Sequence, residues 1–569
     1  MNQRAKERTL WRRLADQQWS KYVRLPAPAN SYTVTRDVRI PMKDGVELLA
    51  DVLEPKGPVS GTILVTSPYG YNVLGTAMTG GVFACRGYRT VLVRCRGTFG
   101  SGGTFDPFMQ EAGDAAGIVA WMREQPWFDG RFATHGYSYL GFTQWAMLMD
   151  PPPELVTAVI ACTPYNFGAF VHDGGAFMLS TLFEWSFVTT KQEKPLPLRI
   201  AAILSSRSRV REALAALPLT GTSSSTSSAA EKLLDGKAPW YREWASRRNL
   251  DDPWWKRADL TDALERVRVP VLLQGGWQDG FLRQTLTGYA RLAERGLDAA
   301  LTVGPWTHAE GGAAGTRVLI PEALAWFDKH LAGAGEHLAG SGGRRRATPV
   351  KVFVSGPGEG WRDLPAWPPA ADERILHPRP GGLLSAQPAQ PGEVSEFTYD
   401  PANPTPTYGG AFVTQISPGM TAGYTDDSAL ASRSDVLTFT SDPLTARLEV
   451  IGTPVVEVGH SSDNPHADLF VRLSEVDTTG RSRNISDGFT RLAPSSSPGV
   501  VRLELDAVAH CFAPGNRIRL IIAGGSHPRW ERNLGTDDDP ATSTRMRPSH
   551  RTIDLSATRV VIPVTPRTP

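Results

Sequence analysis

A tight turn between a strand and a helix is encoded by residues 135–141, which read His135-Gly136-Tyr137-Ser138-Tyr139-Leu140-Gly141. The residues before this turn are apolar and typical of a strand, and the residues after it are compatible with a helix. Gly136 relieves crowding before Ser138, and Gly141 lets the following helix approach the sheet. Leu140 stands where the usual G-x-S-x-G spelling has its second glycine. We therefore predict that Ser138 lies at a nucleophile elbow; an ordinary glycine-punctuated turn is the alternative.

Length and composition set the first limits on function. The chain has 569 residues, which is enough for about two to four domains with their own cores. The formal net charge is +2 and no long basic stripe occurs, so nucleic acid is not expected as a partner. No stretch approaches the roughly 20 apolar residues that cross a bilayer, so no membrane partner is expected either. The sequence leaves a homo-oligomer open.

Four cysteines are scattered along the chain without a C-x-x-C pair: Cys85, Cys95, Cys162 and Cys511. This pattern indicates neither a zinc site nor a disulfide framework, and we expect a reduced, cytoplasmic setting. The basic stretch 4–22 mixes charges of both signs with Leu10, Trp11 and Leu14, and it lacks the apolar core of a signal peptide. It predicts an N-terminal surface helix.

The order of the apolar runs predicts an α/β sheet preceded by a hairpin. Alternating residues from Tyr32 to Leu53, around the turn Lys43-Asp44-Gly45, indicate an antiparallel hairpin at the edge of a sheet. Short apolar runs predict buried parallel strands, separated by helical stretches such as 110–124 and 284–295. These runs are 63–66, 90–93, 156–162, 269–274 and 300–303.

Two breaks divide this pattern. Between residues 165 and 254 the strand signal fades, and helix-like segments around 179–190, 198–217 and 229–248 predict a helical insertion. After the glycine- and arginine-rich segment 333–349, short alternating strands predict an all-β sandwich. We expect an α/β core with an N-terminal helix in 1–165, a helical cap in 166–258, the second part of the core in 259–346 and a β-sandwich in 347–569.

Two polar residues follow later strands in the order that α/β-hydrolase folds use, which is nucleophile, acid and base. Asp279 follows the apolar run 269–274, and His308 follows the next run. His308 would take the proton of Ser138, while Asp279 would hold the imidazole and stabilise its charged form. Asp279 could instead cap the following helix.

Acyl transfer also needs hydrogen-bond donors for a negatively charged oxygen. The backbone N–H of Tyr139 is the first expected donor of this oxyanion hole. The loop Ser67-Pro68-Tyr69 has no glycine run, and Pro68 has no N–H, so the Tyr69 hydroxyl is the second candidate. A tyrosine hydroxyl stays protonated to about pH 10. Alternatively, Tyr69 is an aromatic side chain at the mouth of a pocket.

Together these segments resemble the serine hydrolase family that includes bacterial cocaine esterase, the α-amino acid ester hydrolases, the glutaryl-cephalosporanate acylases and the X-prolyl dipeptidyl aminopeptidases. The resemblance rests on ordered matches along nearly the whole chain. They are Met42 to Leu48 with Ala50-Asp51, Ser67 to Tyr69, Arg96 to Thr98 with Ser101 to Gly103, Gly136 to Gly141, Asp279 to Phe281, Gly304 to His308, Ser434 to Ser441 and Arg529 to Asn533.

The resemblance implies a catalytic α/β-hydrolase domain with an inserted helical cap, followed by a C-terminal jelly roll. It implies Ser138, Asp279 and His308 as the catalytic triad, with Tyr69 and the Tyr139 amide as the oxyanion hole, and it implies no metal or organic cofactor. One departure is Cys95, which stands where relatives commonly carry aspartate. A free cysteine beside a strand is usually a small buried apolar residue, so we do not expect it to compete as a nucleophile.

The choice of activity depends on the pocket. Amino-acid ester hydrolases of this family hold the substrate ammonium with acidic residues, one of them near the elbow, whereas Tyr139, Leu140 and Gly141 follow Ser138 here. An apolar acyl group in a small-molecule ester, or an amide, is therefore favoured. The candidate pocket residues are Trp145, Trp185, Trp277 and Phe281, each of which could equally belong to the core.

Two other functions remain as alternatives. An X-prolyl dipeptidyl aminopeptidase needs an anchor for a free amino terminus, for which Glu184 or Asp173 could serve. Relatives of that type usually carry a long extra N-terminal domain, whereas only residues 1–31 precede the first expected strand. A carbohydrate-binding protein with an inactive hydrolase scaffold is the weakest alternative, because serine, acid and base are all present in order.

Overall fold

The computed structural model describes residues 3–223, 226–332, 346–414 and 416–566. Two β-sheets dominate this part of the chain. The first sheet contains β1 (Tyr32–Pro41), β2 (Glu47–Pro55), β3 (Gly61–Ser67), β4 (Tyr88–Arg94), β5 (Phe132–Tyr137), β6 (Leu155–Ala161), β7 (Val271–Gln278), β8 (Ala299–Thr307), β9 (Val350–Val354) and β10 (Gly360–Leu364).

The first sheet is parallel through its centre. Its strand order is β1-β2-β4-β3-β5-β6-β7-β8-β9-β10. Neighbours from β4 to β9 run parallel, whereas the β1–β2 hairpin and β10 add antiparallel strands at the two edges. Because parallel strands end at the same edge, the loops after β3, β5, β7 and β8 converge there. This arrangement is consistent with the predicted α/β-hydrolase fold.

Both faces of this sheet are buried, which explains the continuous apolar runs of its strands. In β3, Leu64 packs in one apolar core, while Ile63 and Val65 pack in another on the opposite face. Every residue of β4 and of β7 is buried. The hairpin predicted around Lys43-Asp44-Gly45 is confirmed by the antiparallel pairing of β1 with β2.

Helices cover the sheet and fill the predicted insertion between β6 and β7. The helices are α1 (Gln3–Tyr22), α2 (Val73–Thr76), α3 (Val82–Ala84), α4 (Glu111–Arg123), α5 (Tyr139–Met147), α6 (Phe167–Val171), α7 (Leu179–Thr189), α8 (Leu196–Leu204), α9 (Arg207–Ala215), α10 (Ala229–Leu234), α11 (Trp240–Ser246), α12 (Ala263–Arg266), α13 (Leu282–Glu294), α14 (His308–Gly311) and α15 (Thr316–His330). Among these, α6 to α11 form the insertion. No helix among the described residues is both long and apolar enough to span a bilayer.

Two helical stretches of the insertion are more broken than the sequence pattern indicates. The stretch 198–217 is divided between α8 and α9 by a break at Ser205 and Ser206. The stretch 229–248 is divided because Asp235 and Gly236 have φ of 56° and 67°, a left-handed conformation that ends α10. The sequence carries a signal for the second break, because Asp235-Gly236 and Pro239 are residues typical of turns.

The second sheet is formed by strands from the C-terminal part of the chain. Its strands are β11 (Asp372–Arg379), β12 (Leu383–Ser385), β13 (Val394–Tyr399), β14 (Val436–Ser441), β15 (Leu448–Gly452), β16 (Val455–Ser462), β17 (Asp468–Val476), β18 (Ser482–Arg491), β19 (Gly499–Glu504), β20 (Val508–Phe512), β21 (Arg517–Ala523) and β22 (Ser549–Val564). The long strand β22 pairs with β11, β13, β15 and β16 and so connects much of this domain.

The structure moves one boundary relative to the sequence prediction. The β-sandwich was expected to begin at residue 347, but β9 and β10 extend the first sheet, and β9 pairs in parallel with β8. The second sheet begins only at Asp372. Alternating burial identifies a short strand without showing which sheet it joins, and the sequence pattern therefore assigned these two strands to the wrong sheet. Of the glycine- and arginine-rich segment 333–349, residues 333–345 lie outside the described residues.

Candidate active site

Ser138 occupies a strained turn between β5 and α5. Its φ is 61° and its ψ is −127°, a backbone conformation that non-glycine residues rarely adopt and that is typical of a nucleophile elbow. A Cβ at Gly136 would lie 2.3 Å from the Leu140 carbonyl oxygen, and a Cβ at Gly141 would lie 2.5 Å from Cγ2 of Thr163. The close approach to the sheet therefore occurs at Gly141, which explains why leucine is tolerated at position 140.

Three polar side chains from three different loops meet at this turn. His308 Nε2 lies 2.9 Å from Ser138 Oγ, and His308 Nδ1 lies 2.7 Å from Asp279 Oδ2. Asp279 and His308 are both buried. The structure thus brings together the serine, histidine and aspartate that the sequence places after β5, β8 and β7. The chain of contacts runs in the order that proton transfer from the serine requires.

The aspartate and the histidine are each held by further hydrogen bonds. The Phe281 N–H donates to Asp279 Oδ1 over 2.7 Å, so Asp279 stabilises its own loop with one oxygen and contacts His308 with the other. The Tyr137 hydroxyl donates to the His308 carbonyl oxygen over 2.6 Å. Nothing in the sequence singles out Tyr137 for this contact, although Tyr137 directly precedes Ser138.

The two predicted oxyanion-hole donors lie at the same edge of the sheet. Tyr139 is the first residue of α5, where a backbone N–H has no partner within its own helix. Tyr69 follows β3, and its hydroxyl oxygen accepts a hydrogen bond of 3.2 Å from Nε1 of Trp185. Burial raises the pKa of Tyr69 to about 12. Its hydroxyl therefore remains a donor over the whole neutral range.

The predicted pocket residues fall into two groups. Trp185 stacks on the Tyr139 ring at 6.2 Å and 6°, and Phe281 meets His308 edge to face at 5.4 Å, so both lie beside the reacting side chains. Trp145 and Trp277 are fully buried. Trp145 packs against Tyr165, and Trp277 donates its indole N–H to the Phe353 carbonyl oxygen on β9. These two tryptophans belong to the core, because their large rings are enclosed by the sheet and its helices.

A half-buried acid, Glu111, contacts the first residue of α5, and nothing in the sequence singles it out. The Tyr139 hydroxyl donates to the carboxylate of Glu111 and accepts from the Phe108 N–H over 3.0 Å. Burial raises the pKa of Glu111 to about 7, against the opposing effect of the Tyr139 hydrogen bond. Glu111 and Cys95 line one small cavity, and burial raises the pKa of the Cys95 thiol. Cys95 is thus a buried thiol, as the sequence predicts.

The site has no recognisable metal centre. Within the described ranges, no group of three or more His, Cys, Asp or Glu side chains is arranged to hold a metal ion. All four cysteines are buried and free.

Comparison with known proteins identifies the family of the chain. Residues 44–310 match the family model of the X-Pro dipeptidyl-peptidase (S15 family), and residues 343–562 match that of the X-Pro dipeptidyl-peptidase C-terminal non-catalytic domain. Cocaine esterase of Rhodococcus sp. (strain MB1 Bresler) is 29% identical over 566 residues, covering 89% of this chain and 93% of that protein.

Solved structures share the fold over almost the whole chain. An α-amino acid ester hydrolase superposes with a TM-score of 0.76 at 21% identity, covering 94% of this chain and 97% of that one. An aminopeptidase from a marine sediment archaeon, Thaumarchaeota archaeon, gives 0.75 at 20% identity with the same coverage. At these identities the likeness is one of fold.

The chain is therefore a member of the serine hydrolases. Within that class it belongs to the X-Pro dipeptidyl-peptidase (S15) family, with cocaine esterase as a relative over most of its length. The resemblance drawn from the ordered sequence motifs is confirmed.

Proposed function

We propose that this protein cleaves carboxylic esters through a Ser138–His308–Asp279 triad and an acyl-enzyme intermediate. One observation carries the proposal, namely the unbroken chain of contacts from Ser138 Oγ through both ring nitrogens of His308 to Asp279. The positive φ of Ser138 supports it, since such strain persists only where the surrounding structure enforces it.

The geometry is suited to a two-step acyl transfer. Ser138 Oγ attacks the ester carbonyl carbon while its proton passes to His308 Nε2, and the carbonyl oxygen becomes an oxyanion that accepts from the Tyr139 N–H and the Tyr69 hydroxyl. His308 then gives its proton to the departing alkoxide, which leaves an acylated Ser138. In the second step a water loses a proton to His308 and attacks the acyl carbon. Ser138 regains its proton as the carboxylic acid departs.

The surroundings favour an apolar acyl group. The Trp185 indole contacts the Tyr69 hydroxyl, the Phe281 ring meets His308 edge to face, and Phe170 packs on Phe281 at 4.5 Å. Aromatic walls with a few well-placed polar groups are typical of small-molecule sites. We therefore propose short-chain or aromatic esters as the substrate class.

The proposal is tested with a panel of p-nitrophenyl esters. We expect an acyl-enzyme burst and steady turnover, both lost in Ser138→Ala, together with a fluorophosphonate adduct that peptide mass spectrometry maps to Ser138. A wild-type protein that is inert on the whole panel, or an adduct mapped elsewhere, would refute it. Circular dichroism of Ser138→Ala provides the control for folding.

A dipeptidyl-peptidase activity is the second candidate, because the matching family model carries that name. The proposed anchor Glu184 argues against it: the residue is fully buried, and its carboxylate accepts from the N–H groups of Ile416 and Ser417 over 2.7 and 3.0 Å. Such a carboxylate is not available to a substrate ammonium. The peptidase candidate predicts that a glycyl-prolyl anilide is cleaved far faster than its N-blocked analogue, and equal rates would exclude it.

We also propose that α6 to α11 act as a cap over the α/β-hydrolase domain, and that the sheet beginning at Asp372 is a jelly roll. The position of α7 beside Tyr69 and Tyr139 supports the cap, and the largely antiparallel pairing of β11 to β22 supports the jelly roll. Limited proteolysis should then cut first within residues 365–371, between β10 of the first sheet and β11 of the second. Cleavage inside β9 or β10 before that segment would contradict this division.

A further inference from the structure

Trp185 contacts the active site through its indole nitrogen as well as through its ring. Nε1 lies 3.2 Å from the Tyr69 hydroxyl oxygen. An indole N–H can only donate a hydrogen bond, so in this contact the Tyr69 oxygen must accept. Among the described residues, no side chain or carbonyl accepts the hydrogen of the Tyr69 hydroxyl. Trp185 therefore donates to a lone pair of the Tyr69 oxygen and leaves the Tyr69 hydroxyl hydrogen available for donation.

The direction of this bond matters for oxyanion stabilisation. A tyrosine hydroxyl has one hydrogen, and if a protein carbonyl or carboxylate accepted it, Tyr69 could not donate to a substrate oxygen. A hydroxyl that accepts a hydrogen bond is also polarised into a better donor, because neighbouring hydrogen bonds strengthen one another. The Trp185 N–H thus serves both to orient Tyr69 and to strengthen it as a donor.

Trp185 is itself held in place. Its ring stacks on the Tyr139 ring, and Trp244, which is fully buried, packs on it at 5.8 Å. Its neighbour Glu184 ties α7 to the loop of the second domain through the Ile416 and Ser417 N–H groups. The indole is therefore fixed before substrate arrives, as preorganised stabilisation requires.

We propose that Trp185 is a positioning residue of the oxyanion hole, whose indole N–H directs the Tyr69 hydroxyl hydrogen toward the substrate oxygen. This inference rests on the proposed esterase function. It assigns Trp185 a role that acts through Tyr69 and that a residue merely lining the acyl pocket would not have.

A double-mutant cycle separates the two roles. Trp185→Phe keeps an aromatic ring and removes the N–H, and we expect kcat on a p-nitrophenyl ester to fall about 5- to 10-fold, as for a lost neutral hydrogen bond. In a Tyr69→Phe background the same substitution should change kcat less than twofold. Equal losses of kcat in the two backgrounds, or no loss from Trp185→Phe alone, would overturn the inference.

The control variant is Trp240→Phe. Trp240 belongs to the same group of rings, at 6.2 Å from Trp185, but its indole N–H donates to Ser186 Oγ over 3.0 Å. We expect its kcat to stay within twofold of the wild type. A 5- to 10-fold loss in Trp240→Phe would show that ring packing, and not the Tyr69 contact, sets the rate, and would also overturn the inference.

Replacement of Trp185 by 3-benzothienylalanine covers the case in which Trp185→Phe fails to fold. This residue keeps the bicyclic ring and lacks the N–H, so the same 5- to 10-fold loss of kcat is expected. An unchanged kcat would overturn the inference. A different experiment would refute the proposed function. That function requires Ser138→Ala to abolish turnover, and this requirement does not depend on Trp185.

Discussion

At the scale of single residues, the candidate site depends on Asp279, because both of its carboxylate oxygens have hydrogen-bond partners. One oxygen accepts the Phe281 N–H and the other contacts His308 Nδ1, and the residue is almost fully buried. A carboxylate in this position fixes the His308 tautomer that leaves Nε2 free to accept the Ser138 proton. The backbone of His308 is fixed independently by the Tyr137 hydroxyl.

Replacing Asp279 by asparagine should therefore disable proton transfer while preserving shape. We expect Asp279→Asn to lower kcat on p-nitrophenyl esters by about 10⁴-fold, because an asparagine amide that donates to the ring favours the wrong tautomer. The fold should persist, since the asparagine oxygen can still accept the Phe281 N–H. Steady-state kinetics with circular dichroism check this, and a loss of less than tenfold would contradict the role of Asp279.

The residues that sequence could identify are those whose chemistry and chain order are both distinctive. Ser138, Asp279 and His308 each follow a buried strand, and parallel strands bring such positions to one edge. The sequence could not show that Trp185 and Phe281 lie at the site whereas Trp145 and Trp277 lie in the core. An aromatic residue that lines a pocket and one that packs in a core occur in similar apolar sequence patterns. Glu111 was missed for a related reason: its partner Tyr139 is distant in sequence, and only folding brings the two together.

At the scale of elements, the β5–α5 turn depends on a glycine that sequence identified correctly. Gly136→Ala would place a Cβ 2.3 Å from the Leu140 carbonyl oxygen, so α5 must shift and carry Ser138 and the Tyr139 N–H with it. We expect kcat to fall by at least about 10²-fold, since an ångström-scale displacement of reacting groups has effects of this size. Ester kinetics on the purified variant measure it.

A matched glycine on α4 provides the control for that substitution. Gly113 lies within the helix, and a Cβ there would meet nothing within 4 Å. Gly113→Ala should keep full activity and stabilise the protein by roughly 1 kcal/mol, the difference in helix propensity between glycine and alanine. If Gly136→Ala were as active as Gly113→Ala, the elbow would not need the close approach that the structure shows.

Glu111, the first residue of α4, is a carboxyl group whose protonation affects the stability of the protein. Burial raises the pKa of Glu111 from 4.5 to about 7, so the folded state holds a proton that the unfolded state has already lost. The stability that this carboxyl contributes is full below pH 4.5 and is lost as pH rises through about 7. Glu111→Gln should remove this loss. Between pH 4 and pH 8, its free energy of unfolding should gain about 3 kcal/mol relative to the wild type.

Urea unfolding of both proteins across this pH range measures the gain. Parallel pH profiles for wild type and Glu111→Gln would show that the pKa of Glu111 is not raised in the folded protein. The hydrogen bond from the Tyr139 hydroxyl can still be accepted by the glutamine oxygen, so the elbow should keep its geometry. Activity at pH 6 should then remain close to that of the wild type.

At the scale of the whole molecule, charged groups join the helical insertion to the second domain. One of them lies in the motif Arg529 to Asn533, which the sequence resemblance included without indicating its role. The motif Arg529 to Asn533 places Glu531 against the helical insertion, where Arg248 contacts it at 2.5 Å. Arg491 on β18 contacts the same carboxylate at 2.5 Å. The Glu531 backbone N–H also donates to the Phe177 carbonyl oxygen over 2.9 Å. The motif is thus part of the interface between the insertion and the second domain.

Glu531 is the buried centre of this contact, and its loss should destabilise the whole protein. Burial alone would raise its pKa, but Arg248 and Arg491 outweigh that effect and hold the pKa of Glu531 at about 2, below the ordinary 4.5. Its contribution to stability is therefore present above pH 4.5 and is lost as pH falls toward 2. At pH 7, Glu531→Gln removes the carboxylate that Arg248 and Arg491 share. Arg491 then keeps only Asp468, and Arg248 has only Asp539 at 3.8 Å. We expect a loss of about 3 kcal/mol in the free energy of unfolding.

Glu457→Gln is the matched control, because Glu457 pairs with Arg559 at 2.7 Å between β16 and β22, where both side chains are partly exposed. Solvent screens such a pair, so its removal should change the urea midpoint little. In Glu531→Gln, the loss of stability between pH 4.5 and pH 2 should be smaller than in the wild type, because the titrating carboxyl is gone. Equal urea midpoints for the two variants at pH 7 would mean that the buried contact does not hold the insertion to the second domain. Arg248 belongs to the same insertion as α7, which carries Trp185, so we expect Glu531→Gln also to lower kcat more than Glu457→Gln does.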